Sequence, residues 1–225
     1  KTIKNALKTP EVRKRLLYTL VLIIVFRLGC FITVPGVDLV QIQNAMQSSG
    51  NTLTGLIDII SGGAFSRFSI FAMSVTPYIT ASIVIQLLTM IIPSLERLAK
   101  EGGEVGRQKV DKYTKALSIV LALIEGIGLY LSYQSQGIFV DSGILSGVLV
   151  VTGLMAGTAL LMWLGDQITN KGIGNGVSMI IFIGIVSRLP SAVSSIWSLI
   201  MTQSGFSTTG LLVALAIVIG ALILV

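Results

Sequence analysis

Long apolar runs separated by short charged blocks organise this chain. The runs cover residues 16–34, 68–92, 116–133, 144–165 and about 173–189, and another begins near Gly210. A helix needs roughly 20 predominantly apolar residues to cross about 30 Å of hydrocarbon. The pattern therefore predicts an all-α integral membrane protein with five transmembrane helices and the start of a sixth. Residues 210–225 are too few to cross, so the sequence reads as a piece of a longer protein. A cleaved leader is the rival reading of the first run. Against it, the run exceeds a leader core of about 7–15 residues, and Val34-Pro35-Gly36 is no small-residue cleavage site.

The segments between the runs differ in kind. Residues 41–54 are rich in Gln, Asn, Ser and Thr and read as a loop. Leu56-Ile57-Asp58-Ile59-Ile60 is apolar but too short to span, and Ser61-Gly62-Gly63 breaks it from the next run. Such a half-helix is tolerated at membrane depth only where protein or a water-filled cavity surrounds it. Residues 93–115, with Gly102-Gly103 and mixed charges, read as a solvated loop or hairpin. Arg188 and Pro190 interrupt the fifth run. Beyond them Val193, Ile196, Trp197 and Ile200 recur at helical spacing, which suits an amphipathic turn at the membrane interface.

Composition sharpens this. Of the 225 residues, 53% are hydrophobic and 12% charged, about half the charge that an ordinary soluble domain uses to cover itself. The absence of histidine and the single cysteine exclude a disulfide framework, a Cys/His zinc site and any histidine base. The net charge of +6 raises the possibility of nucleic acid, but the basic residues punctuate apolar runs instead of alternating with aromatics. Residues 1–15, 93–115 and 166–176 hold 13 of the 16 Lys and Arg. By the positive-inside rule, these segments and the amino terminus are cytoplasmic.

Several positions carry candidate function. On a helix, Ile79, Ser82, Ile83 and Gln86 share one face. That face suits either the lining of a wet cavity with a dry constriction or simple packing and hydrogen bonding against a neighbouring helix. Val177 and Ile181 repeat the four-residue spacing of Ile79 and Ile83. The three alternate glycines of Lys171-Gly172-Ile173-Gly174-Asn175-Gly176 demand a tight turn, with Asn175 placed to cap the next helix. Their spacing matches no phosphate loop or dinucleotide fingerprint. Glu125 sits mid-run, facing a cavity or, protonated, a neighbouring helix. Arg27 lies near the outer end of its run and is expected to snorkel, and Cys30 to pack. Asp58 and Asp166 both fall outside continuous spans, which leaves no catalytic pair for an intramembrane enzyme.

Together these segments resemble the amino-terminal half of the SecY family of protein-translocation channel subunits. The resemblance rests on Val25-Phe26-Arg27-Leu28-Gly29 and Val34-Pro35-Gly36-Val37, on Ser61-Gly62-Gly63-Ala64-Phe65-Ser66-Arg67-Phe68-Ser69-Ile70-Phe71-Ala72, on Pro77-Tyr78-Ile79-Thr80-Ala81-Ser82-Ile83 through Gln86, and on Asp166-Gln167-Ile168-Thr169-Asn170 leading into the Gly-rich turn. Ser74 departs from it, since the family usually has glycine there.

The resemblance implies a channel with a pore ring to which Ile79, Ile83, Val177 and Ile181 contribute. Leu56, Ile57, Asp58, Ile59, Ile60, Ser61, Gly62, Gly63, Ala64, Phe65, Ser66 and Arg67 would form a plug over that ring. The second and third spans would supply one side of a lateral gate, with Gln86 and Glu125 near the seam. It also implies residence in the bacterial cytoplasmic membrane and no cofactor or metal. The implied partners are SecE and SecG, the SecA ATPase or a translating ribosome, a signal sequence, a nascent polypeptide and the lipid bilayer. The alternative is an ion-coupled secondary transporter, which also uses broken helices and buried carboxylates.

Overall fold

The computed structural model describes residues 9–48, 52–100, 102–135, 137–139 and 143–202. The expected sixth run at 210–225, and residues 1–8 of the basic terminal segment, lie outside them. The described helices are α1 Pro10–Gly29, α2 Leu39–Ser48, α3 Thr52–Ile60, α4 Thr76–Ile91, α5 Pro93–Lys100, α6 Gly103–Gln134, α7 Ile144–Lys171 and α8 Gly176–Thr202. Beside them stand only isolated bridges, Thr33 with Ser69 and Val37 with Phe139, among the described residues. Contacts divide the chain after Val186 into two units, Lys1–Val186 and Ser187–Val225.

Among the described residues, α6 and α7 are long and apolar enough to cross a membrane, and α4 with α5 makes a third if that pair, bent by 106°, counts as one. α1 has 20 residues, with Glu11, Arg13, Lys14 and Arg15 near its start and Arg27 near its end. Its inward face is Thr19, Leu22, Phe26 and Gly29, whereas Leu17, Leu20, Ile24 and Leu28 are exposed. On α6 the buried stripe is Gly106, Thr114, Ser118, Ala122, Gly126 and Tyr130, and Val120, Leu123, Ile124 and Leu131 face outward. Small and hydroxyl-bearing residues inside with large apolar ones outside invert the arrangement of a soluble helix. In lipid, small residues let backbones approach closely while the large ones meet acyl chains at no cost. α4 packs on α6, α6 on α7, α1 on α7, and α5 touches both α4 and α6.

The expected helix over 68–92 begins only at Thr76; residues 61–75 form consecutive turns that run through the centre of the fold. Phe65, Phe68, Ala72 and Met73 join one apolar cluster with Val34, Tyr130, Phe139 and Leu154. Ala64, Phe71 and Val75 join a second with Phe26, Leu161, Leu164 and Ile180. Phe68 lies edge-on to Tyr133 and Phe139 at 5.8 and 5.9 Å, and Phe71 stacks on Phe26 at 5.9 Å. The backbone that carries these side chains is broken instead of helical. Phe68 (φ 44°) and Ser74 (φ 52°) adopt left-handed conformations, and the Val34 and Ile70 amides donate across to the Phe68 and Ile32 carbonyls.

Ser74 is the position where the resemblance implies glycine, and its left-handed φ suits that residue. An L residue there costs roughly 1–2 kcal/mol, and the Ser74 hydroxyl is buried with no hydrogen-bond partner. Ser74→Gly should raise the stability of the full-length protein by about 1 kcal/mol, after allowing for the extra freedom of glycine in the unfolded chain. A lower thermal midpoint for the variant would show that the hydroxyl contributes.

Residues 41–48, read as part of a loop, are helical in α2, and most of 93–115, read as a solvated loop or hairpin, is helical in α5 and the start of α6. α8 departs from expectation as well. It continues through Pro190 to Thr202, whereas the sequence suggested a break there and a separate turn. Apolar helices tolerate proline where the surroundings satisfy the freed carbonyl. The side chains of Val193, Ile196, Trp197 and Ile200 lie outside the described residues.

Candidate functional site

The segment from Leu56 to Arg67 has two parts. α3 ends at Ile60 with Ile57, Ile59 and Ile60 exposed, while Ser61 through Phe65 are buried; the Leu56 side chain lies outside the described residues. Asp58 staples the turn. Its Oδ1 accepts from the Ser66 amide at 2.8 Å, and its carbonyl accepts from the Gly63 amide at 2.9 Å and the Ser61 hydroxyl at 3.1 Å. The Asp58 side chain satisfies an amide of the turn, and the Asp58 carbonyl, left without an intrahelical partner at the end of the helix, finds donors there too. Gly62 and Gly63 take φ of 67° and 89°, which glycine alone adopts without strain. The Arg67 guanidinium lies 4.3 Å from the centre of the Phe31 ring.

Arg27 does not snorkel outward as expected. Its Nη1 donates to the Gly62 carbonyl at 3.0 Å. A Cβ on Gly62 would lie 2.8 Å from that nitrogen and 3.0 Å from the Gly184 Cα, and one on Gly184 would lie 2.6 Å from the Ile60 carbonyl oxygen. The sequence reading missed this meeting of α1, the turn and α8. An arginine inside an apolar run was the available signal, but its partner is 35 residues away.

The other predicted residues divide between α4, α6 and α8. α4 buries Pro77, Ala81 and Ile85 and turns Ile79 (36% exposed) and Ile83 (52%) away from them. Neither belongs to a core cluster. Val177 and Ile181 are half-buried at the edge of the second cluster. Gln86 donates to Ser82 Oγ at 3.5 Å, and both line a cavity of about 220 Å³ with Tyr78, Arg107, Asp111 and Thr114. Glu125 is half-buried on α6, 11 residues beyond Thr114 and therefore about 16 Å further along that helix. Gln86 and Glu125 thus occupy separate places.

The turn into α8 is built as its sequence suggested. Asn175 Oδ1 accepts from the Val177 and Ser178 amides at 3.0 and 3.2 Å, capping the helix. Thr169 and Thr19 side chains accept from the Gly176 and Ile173 amides. Gly176 has no room for a Cβ, which would overlap the Gly165 carbonyl oxygen. Nearby, Lys115 bridges Asp111 and Asp166 at 2.6 and 2.7 Å, tying α6 to α7. Asp111 and Lys115 stand at i and i+4, a signal present in the sequence, but only the fold adds Asp166.

The family model for SecY matches residues 69–225. Curated relatives named "Protein translocase subunit SecY" include that of Streptomyces coelicolor, 45% identical over 204 residues, which cover 85% of this chain and 46% of the relative. The Streptomyces galbus protein is 40% identical over 231 aligned positions (97% and 53%). That of Staphylococcus aureus is 46% identical over 195 (85% and 45%). The chain spans about half the length of the curated relatives it matches. Two solved structures share the fold at 19% identity and TM-score 0.55, covering 84% of this chain and 41% of theirs: "Sec61 in the Canine ribosome-channel complex from the endoplasmic reticulum" and "The structure of a protein conducting channel". With its helices, broken turn segment and capped α8 in place, this membrane chain belongs to the SecY family.

Proposed function

We propose that the chain is the amino-terminal half of a protein-conducting channel in the bacterial cytoplasmic membrane, its amino terminus cytoplasmic. The observation that carries the reading is the broken element at 52–75. In it an exposed apolar half-helix hangs from a buried turn, beside a helix whose Ile79 and Ile83 are uncovered. In this reading α3 and its turn, Leu56 to Arg67, plug the pore. Ile79, Ile83, Val177 and Ile181 form this half's share of a constriction, and Gln86 and Glu125 lie along a lateral seam.

Branched aliphatic side chains suit such a ring. They exclude ions by dewetting, and their non-directional contacts yield around any polypeptide. A lateral seam lets an apolar signal sequence pass from the aqueous path into lipid, gaining about 25 cal/mol per Å² of apolar surface removed from water. SecE, SecG, and either the SecA ATPase or a ribosome complete the proposed assembly, the motor supplying the energy.

The test is to reconstitute the full-length protein with these partners and measure import of a secretory precursor into vesicles. Motor-dependent import is expected. Absence of import, together with ion-driven solute uptake that depends on Glu125, would establish the secondary transporter instead.

A further inference from the structure

Two residues meet the joint between α3 and the buried turn. The Arg27 guanidinium donates to the Gly62 carbonyl at 3.0 Å. Gly184 lies against the same joint, and its missing side chain leaves the room that the Ile60 carbonyl and Gly62 occupy. Among the described residues no carboxylate pairs with Arg27. A cation within an apolar helix and without a counter-ion is costly. The Gly62 carbonyl offsets part of that cost, because hydrogen bonds from a charged donor are stronger than neutral ones.

The contrast in burial across the joint gives this grip a consequence. Ser61 through Phe65 are buried, whereas Ile57, Ile59 and Ile60 on the helix before them are exposed. Of the described side chains on α3, Asp58 ties it to the turn through the Ser66 amide, and the three isoleucines do little to hold it. Its direction is also set by the backbone where it leaves the turn, at the left-handed Gly62 and Gly63. Fixing the Gly62 carbonyl fixes the plane of the Gly62–Gly63 peptide between those two glycines. A glycine pair without this restraint leaves the helix direction to the Asp58 contacts with Gly63 and Ser66, a looser hold.

We propose that Arg27 is the positioning residue of the plug: by holding Gly62, through its carbonyl, at the Gly184 notch, it sets the resting direction of α3 and so keeps the channel closed. The proposal rests on the reading of 56–67 as a plug. It assigns Arg27 a role that depends on the donor it presents. Lysine keeps the charge and a donor, glutamine keeps a donor alone, and methionine keeps only bulk.

The experiment uses the full-length protein in its complex, in planar bilayers without precursor. Arg27→Met should raise the resting ion conductance about tenfold, Arg27→Gln less, and Arg27→Lys by no more than about twofold. The spin-label distance between Ile57→Cys and Leu149→Cys should broaden in the same order. A purely structural arginine would lower the yield of folded protein without moving the conductance per channel or following the donor series. Deletion of 56–67 separates the two ideas. If deletion raises conductance and the Arg27 series does not, the clamp is wrong and the plug stands. If deletion changes nothing, the plug reading fails, and an unchanged distance distribution in Arg27→Met would then remove the clamp as well. Should Arg27→Met fail to fold, Gly184→Ala disturbs the same joint from α8 without changing charge. A conductance rise supports the clamp, and an unaltered one overturns it.

Discussion

Gly157→Val is expected to leave little folded protein. Gly157 lies in the middle of α7, where the turn segment crosses the helix, and a Cβ at this position would overlap the Ile70 carbonyl oxygen. The obstacle is backbone on both sides, so no rotamer change relieves it. The Ile70 amide is already committed to the Ile32 carbonyl and the Phe68 carbonyl to the Val34 amide. Moving residue 70 would thus break the pairing that places Phe68 and Phe71 in their two clusters. Overpacking commonly costs about 1–3 kcal/mol and occasionally more. With backbone as the fixed partner, we expect about 3 kcal/mol or more, a large share of a typical total stability of about 5–15 kcal/mol. The check is the monodisperse fraction of full-length protein in detergent and its thermal midpoint. A stability within about 0.5 kcal/mol of wild type, the usual range for surface changes, would mean that the turn segment does not pack on α7 in this way.

Ion leak through the resting channel should rise about tenfold or more when Ile79 and Ile83 are both replaced by serine in the full-length protein. Exposing an aliphatic side chain to water costs roughly 1.5–3 kcal/mol, and about 1.4 kcal/mol is a factor of ten in an equilibrium. Exchanging two such side chains for hydroxyls therefore removes most of the preference for a dry constriction. The structure makes this pair a cleaner test than the pair on α8. Ile79 and Ile83 belong to neither core cluster, so their loss should leave folding intact. Val177 and Ile181 pack at the edge of the second cluster, so polar substitutions there weaken the fold as well as the ring. If Ile79→Ser with Ile83→Ser folds normally and conductance does not move, the uncovered face of α4 is no part of a constriction.

How much was legible in the sequence follows from the range of each interaction. Asn175 capping α8 is local, and spacing alone indicated it; the Asp111–Lys115 pair is as local, though the sequence reading did not single it out. The middles of α6 and α7 follow from uninterrupted apolar runs, but α6 begins at Gly103, in the charged stretch that read as a solvated loop or hairpin. The run at 68–92 misled because its composition is apolar throughout. The helix there is interrupted by left-handed φ at Phe68 and Ser74, which apolar composition does not announce. Arg27 misled for a related reason. Its position near a helix end fits snorkelling, and nothing nearby in the chain marks Gly62 as its acceptor.

By itself, the sequence determined a membrane protein, its helical class and its SecY family, because composition and ordered motifs are properties of the chain alone. Only tertiary structure decided that residues 61–75 form a hub of turns, that Asp166 completes the Lys115 bridge, and that Arg27 meets Gly62 beside Gly184. Each joins groups far apart in the chain, through backbone approaches that depend on which side chains are missing, and no periodicity records where a missing side chain will find its neighbour.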